Sequence, residues 1–121
     1  MKDFSEIHTD RIIYQGEHFF IIKDAFPVSP GHLLIISNAV RKDYFDLTET
    51  EKQELSATIE QAKEIIEKEH KPDGYNIGMN CGLAAGQTVF HFHCHLIPRY
   101  TGDMENPRGG VRHCIEGKGD Y

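Results

Sequence analysis

Val89-Phe90-His91-Phe92-His93-Cys94-His95-Leu96-Ile97-Pro98 decides how this chain is read. Three histidines stand at every second position, and Phe90, Phe92, Cys94 and Leu96 fill the gaps. Side chains of a β-strand alternate faces with period two, so an extended segment over 89–97 puts all three imidazoles on one side and the apolar set on the other. A helix would scatter the imidazoles around its axis. Three uses fit the strand. One is a histidine-rich face turned to solvent. A second is a metal site: strand positions two apart are separated by about 6.6–6.8 Å, so neighbouring histidines can share an ion. His91 and His93 would then need a third ligand from elsewhere, for instance His32. The third is nucleophilic catalysis on phosphorus, which a neutral imidazole performs without a metal.

Composition narrows the setting. The 121 residues suit one domain, 1–121, and the 39% hydrophobic and 26% charged content is that of an ordinary globular protein. The longest apolar runs, Phe19 to Ile22 and Leu33 to Ile36, are far too short to cross a bilayer. The first six residues lack the apolar core of a secretory leader, so a cytoplasmic location is expected. Cys81, Cys94 and Cys114 are odd in number and form no Cys-x-x-Cys, which argues against a disulfide framework and a thiolate zinc site. A net charge of −6 argues against nucleic acid as a partner, and any phosphate would have to be held by local donors.

The rest of the chain supplies a scaffold. Arg11 to Tyr14 and His18 to Asp24 flank Gln15-Gly16-Glu17 and predict a hairpin. Pro27 and Pro30 make 25–31 a loop, and His32 to Ser37 gives a third strand buried on both faces. Thr48-Glu49-Thr50-Glu51 is a capping box, after which Leu55, Ile59, Ala62 and Ile66 form one helical stripe, ended by Pro72 and Asp73-Gly74. The glutamate-rich opposite face does not suit a membrane. Tyr75 to Asn80 is a fourth strand, Cys81 to Gly86 a loop of small residues, and the histidine strand the fifth. The expected class is α+β: a five-stranded, mainly antiparallel sheet with one long helix packed on it. Residues 101–121 read as a loop-rich tail.

His91-Phe92-His93-Cys94-His95-Leu96-Ile97 resembles the signature of the histidine triad (HIT) family of nucleotide hydrolases and transferases. The likeness runs from about Phe19 to Tyr100 and includes Asp24, Pro30-Gly31-His32, Asn80 and Gly86-Gln87-Thr88. It implies that His93 attacks the α-phosphorus of a nucleotide, forming a covalent nucleotidyl-histidine that water releases. His91, His95 and His32 would then contact the phosphate or leaving group, and the His91 carbonyl would orient the nucleophile's other nitrogen. Asn80, Gly86, Gln87 and Thr88 would meet phosphate oxygens, and Asp24 the ribose hydroxyls. Arg99, Arg108 and Arg112 lie near the site in sequence and offer positive charge for a polyphosphate. The tail Asn106 to Arg112 is similar to that of bacterial dinucleoside polyphosphate hydrolases, although nucleoside phosphoramidates are also within the family's range. The resemblance implies a homodimer and no cofactor. Many bacterial relatives bind structural zinc through Cys-x-x-Cys near the N-terminus; here that region reads Asp3-Phe4-Ser5-Glu6-Ile7-His8, so no zinc is expected. A metallohydrolase built on His91, His93 and His32, or a non-catalytic nucleotide-binding protein, are the competing readings.

Overall fold

The computed structural model describes residues 2–121. Its strands are β1 (Ile12–Gln15), β2 (Phe19–Lys23), β3 (Leu33–Ser37), β4 (Gly74–Gly78) and β5 (His93–Arg99), with one long helix, α1 (Glu49–Glu69), between β3 and β4. They form a single sheet in the order β1-β2-β3-β5-β4, every neighbouring pair antiparallel. The crossover through α1 carries the chain past the place β5 later fills. The histidine strand therefore lies between β3 and β4 and not at an edge.

Each face of the sheet has its own apolar group. Phe19, Ile21, Leu33, Ile35, Cys94 and Leu96 point to α1 and meet Leu55, Ala62 and Ile66. Each such large side chain, once buried, contributes about 1.5–3 kcal/mol. Phe20, Ile22, Leu34 and Ile36 point the other way and are joined by Phe4 from the N-terminal 3-10 turn Phe4–Glu6. Leu34 pairs with His95 and Ile36 with His93, so these two imidazoles belong to the face that the helix leaves uncovered.

The capping box forms: Glu51 N–H donates to Thr48 Oγ1 at 3.1 Å, and Thr48 N–H to Glu51 Oε1 at 2.7 Å. Glu51 is 2% exposed. Burial would raise its carboxyl, but hydrogen bonds from Thr48 and the Arg41 guanidinium outweigh that and hold it below the ordinary carboxylate range. Gly31, at φ +93°, takes a backbone conformation that side chains rarely adopt, and a Cβ there would meet the His70 ring at 3.0 Å.

Two expectations need correction. The strand does not begin at Val89. Its ladder with β3 stops at Ile36 and His93. Beyond that pair only one ladder bond survives, from the Ser37 N–H to the Phe92 carbonyl at 3.4 Å: Phe92 N–H goes to the Arg41 carbonyl at 2.6 Å, and the Ser37 carbonyl receives the His91 ring at 2.7 Å. Phe90, expected in the apolar set, is consequently 39% exposed. The tail also contains a 3-10 segment, Gly110–Cys114, which lies against β4.

Thr48→Ala is expected to lower unfolding free energy by about 1 kcal/mol, read as a shifted urea midpoint at unchanged slope. An unmoved midpoint would show that the cap contributes nothing.

Candidate active site

Backbone groups fix the protonated nitrogen of His91 and His93 directly, and that of His95 through His32. His93 Nδ1 lies 2.8 Å from the His91 carbonyl, which can only accept, so the ring proton is on Nδ1 and the Nε2 lone pair is bare. His32 Nδ1 accepts the Val28 N–H at 3.2 Å, which leaves His32 Nε2 to donate to His95 Nδ1 at 2.9 Å. His95 therefore carries its own proton on Nε2. The His93 and His95 ring centroids are 5.5 Å apart. One ring thus offers a lone pair and its neighbour an N–H, on the same face of one strand.

Burial and the neighbouring His93 and His32 push His95 down to about 4. Burial also lowers His32, against the opposing pull of Asp24. Asp24 spends Oδ1 on the Phe26 N–H at 2.8 Å and turns Oδ2 to the histidine pair, 3.4 Å from His32 Nε2 and 3.9 Å from His95 Nδ1. Asn80, Gly86 and His95 line one cavity of about 920 Å³, together with Ile97 and the tail residues Val111 and Ile115. Gly86 is left-handed at φ +90° and ends the 3-10 turn Leu83–Ala85. Thr88 is exposed.

Three site expectations change, those for His91, Gln87 and Arg99. The His91 ring is 0% exposed and both its nitrogens are committed, Nδ1 to the Phe4 N–H at 2.9 Å and Nε2 to the Ser37 carbonyl. It has no edge left for a phosphate. Gln87 is 1% exposed: its Oε1 accepts the Gly82 N–H, and its Nε2 donates to the Lys42 and Val89 carbonyls. It closes the glycine loop and faces no ligand. Arg99 is clamped by both Asp103 oxygens, at 2.7 and 2.8 Å, and by Asn76 Oδ1 at 2.6 Å. Arg108 and Arg112 lie over the Tyr121 ring, 4.7 and 4.8 Å from its centroid. Sequence reasoning gave no role to Phe4, Ser37 or Val28, because their hydrogen bonds to the histidine rings come from main-chain groups, which side-chain identity does not reveal.

Neither arrangement of metal ligands fits these protonation states. Zinc held by His91 would displace a buried hydrogen bond, and the adjoining Ser5 and Glu6 offer no thiolate. Asp24, His32 and His95 are close enough to surround an ion, but a ligating His32 Nε2 would put the ring proton on Nδ1, against the Val28 N–H. The buried Cys94 thiol is pushed up to about 11 by desolvation and is inert as a nucleophile.

An antiparallel sheet with a helix on one face and paired histidines on the other defines a class of domain. The family model described as "HIT domain" matches residues 5–102, and the chain belongs to that family. It is 32% identical over 93 residues to an AP-4-A phosphorylase of Mycobacterium tuberculosis, covering 76% of this chain and 48% of the relative. It is likewise 32% identical over 93 residues to a bis(5'-adenosyl)-triphosphatase of Saccharomyces cerevisiae, covering 76% and 45%. The chain thus spans about half the length of these two relatives. Among solved structures, a HIT family protein from Bacillus anthracis superposes with a TM-score of 0.71 at 38% identity, covering 76% of this chain and 65% of that one. A zinc-bound histidine triad family protein from Mycobacterium smegmatis gives 0.70 at 34% identity, covering 78% and 69%.

Because His95 is held neutral while an unfolded histidine titrates near 6.5, the unfolded chain binds the extra proton between those values. Stability is expected to fall as pH drops from about 6.5 toward 4, and His95→Asn should flatten that slope in melting curves. Gln87→Ala is expected to cost on the order of 1–3 kcal/mol, by leaving buried backbone groups without partners, and to raise amide exchange across 82–89.

Proposed function

We infer that this protein is a nucleotide hydrolase or nucleotidyl transferase acting on dinucleoside polyphosphates, with His93 as nucleophile. One observation carries the reading: His93 presents a bare Nε2 beside the Nε2–H of His95. His93 Nε2 attacks the α-phosphorus, and the N–P bond forms as the bond to the leaving oxygen breaks. That oxygen departs with the electron pair and accepts a hydrogen bond from His95. The modified His93 ring is cationic, and its Nδ1–H stays on the His91 carbonyl, where the added charge strengthens the bond. Water then attacks phosphorus as the N–P bond breaks and returns its electron pair to Nε2, the water's proton leaves to solvent, and neutral His93 is regenerated. Asn80 and Gly86, which line the cavity with His95, and the exposed Thr88 would meet the phosphate oxygens, while Asp24, committed to the Phe26 N–H and the histidine pair, orients His32 and His95.

The neutrality of His95 favours an anhydride over a phosphoramidate. A polyphosphate leaves as a stable anion and needs only a hydrogen bond, whereas an amine needs a proton transferred to nitrogen. The relatives named AP-4-A phosphorylase and bis(5'-adenosyl)-triphosphatase agree with that choice. A cytoplasmic homodimer completes the reading. β4 is an edge strand, and Ile77 on it is 46% exposed, which suits pairing with a second copy. Among the described residues no helix is long and apolar enough to cross a membrane.

Diadenosine tri- and tetraphosphate, offered with and without inorganic phosphate beside an adenylyl phosphoramidate, provide the test. The anhydrides should turn over faster at pH 7, and P–N cleavage should gain on them as pH falls toward 5. An alkaline denaturing quench should trap a nucleotide on His93, since the histidine–phosphorus bond is lost in acid. His93→Ala should cost at least about a thousandfold in kcat. Wild-type turnover in that variant would refute the mechanism, and binding without turnover of any substrate would leave a nucleotide-binding protein.

A further inference from the structure

The geometry points to the N-terminal turn as a positioning device for the nucleophile, with Phe4 acting on His93 through His91. This inference rests on the catalytic reading of His93 given above. Phe4 opens the 3-10 turn Phe4–Glu6, and the first N–H groups of a helical turn have no partner within it. Its N–H is therefore free to point outward, and it donates to His91 Nδ1 across a separation of 87 residues, in a buried bond of 2.9 Å.

That bond has two consequences. An accepting Nδ1 places the His91 proton on Nε2, where it meets the Ser37 carbonyl at 2.7 Å. The ring is thus held between two backbone groups, one from the N-terminal turn and one from the end of β3. The main chain of the same residue supplies the carbonyl that takes His93 Nδ1–H at 2.8 Å and so keeps Nε2 bare. Withdrawing the Phe4 N–H frees the His91 ring to exchange its proton between nitrogens and loosens the peptide that orients the nucleophile.

The Phe4 side chain adds a second restraint. It is 8% exposed and packs with Ile22, Leu34 and Ile36. Its ring stands edge-on to His93 at 5.0 Å between centroids and tilted against His91 at 5.5 Å. The turn itself is tied down by Asp3, whose Oδ1 accepts the Ser5 N–H at 2.8 Å and the Ser5 hydroxyl. Phe4 and His91 are positioning residues in this scheme, and neither touches the substrate.

Phe4→Pro and Phe4→Ala separate the two contributions in the full chain. Both remove the ring, but only proline removes the N–H. Proline suits the first position of a helical turn, and Asp3 before it is already extended (φ −153°, ψ 177°). Single-turnover formation of the His93 adduct should be about tenfold slower in Phe4→Pro than in Phe4→Ala, as expected for a misplaced nucleophile, with nucleotide affinity alike in the two. Ring ¹⁵N shifts should show His91 exchanging between tautomers in Phe4→Pro alone, and Phe4→Leu should restore most of the rate lost in Phe4→Ala. Equal adduct rates and equal ¹⁵N shifts in the proline and alanine variants would overturn the inference and leave Phe4 as apolar filling. If the wild-type chain forms no adduct with any phosphoanhydride, the catalytic reading fails. The ¹⁵N comparison still decides the action of Phe4 on His91.

Discussion

A neutral imidazole has one lone pair and one N–H, and everything at this site depends on which nitrogen holds which. Carbonyls and amides make that choice because they cannot switch roles. The His91 carbonyl assigns His93, the Ser37 carbonyl and the Phe4 N–H assign His91, and the Val28 N–H assigns His32 and, through it, His95. The chain of assignments runs through three separate segments: the N-terminal turn, the 25–31 loop and the end of β3. It exists only when all three are folded against β5.

The same constraint bears on how a chain of net charge −6 would host the anionic substrate proposed for it. Of the arginines that sequence proximity brought forward, Arg99 is held by Asp103 and Asn76, and Arg108 and Arg112 lie over Tyr121. The Nε2–H of His95 is the fixed donor that the histidine face itself offers. Burial keeps His95 neutral, so the site gains directed donors without the cost of desolvating a cation.

The sheet carries these parts because its two faces are unequal. One is sealed by α1 over a continuous apolar group, and the other keeps an apolar floor of Phe20, Ile22, Leu34 and Ile36 beside the imidazoles. His93 and His95 are placed by a ladder whose far side is fully buried. Their orientation is therefore anchored by the same packing that holds the domain together, as a site needing sub-ångström placement requires.

The sequence by itself determined the strands, the capped helix, the one-sided clustering of His93 and His95, and the family. All of these follow from local periodicity and from side chains whose chemistry is visible in the letters. The tertiary structure alone decided that β5 lies between β3 and β4, that His91 and Gln87 are buried with every side-chain polar atom partnered, and that Arg99, on the face of β5 that carries His93 and His95, is tied to Asp103 and Asn76. Its evidence consists of backbone amides and carbonyls meeting across as many as 87 positions. Those groups are the same at every residue except for the N–H that proline lacks, so only the fold distinguishes the ones that matter.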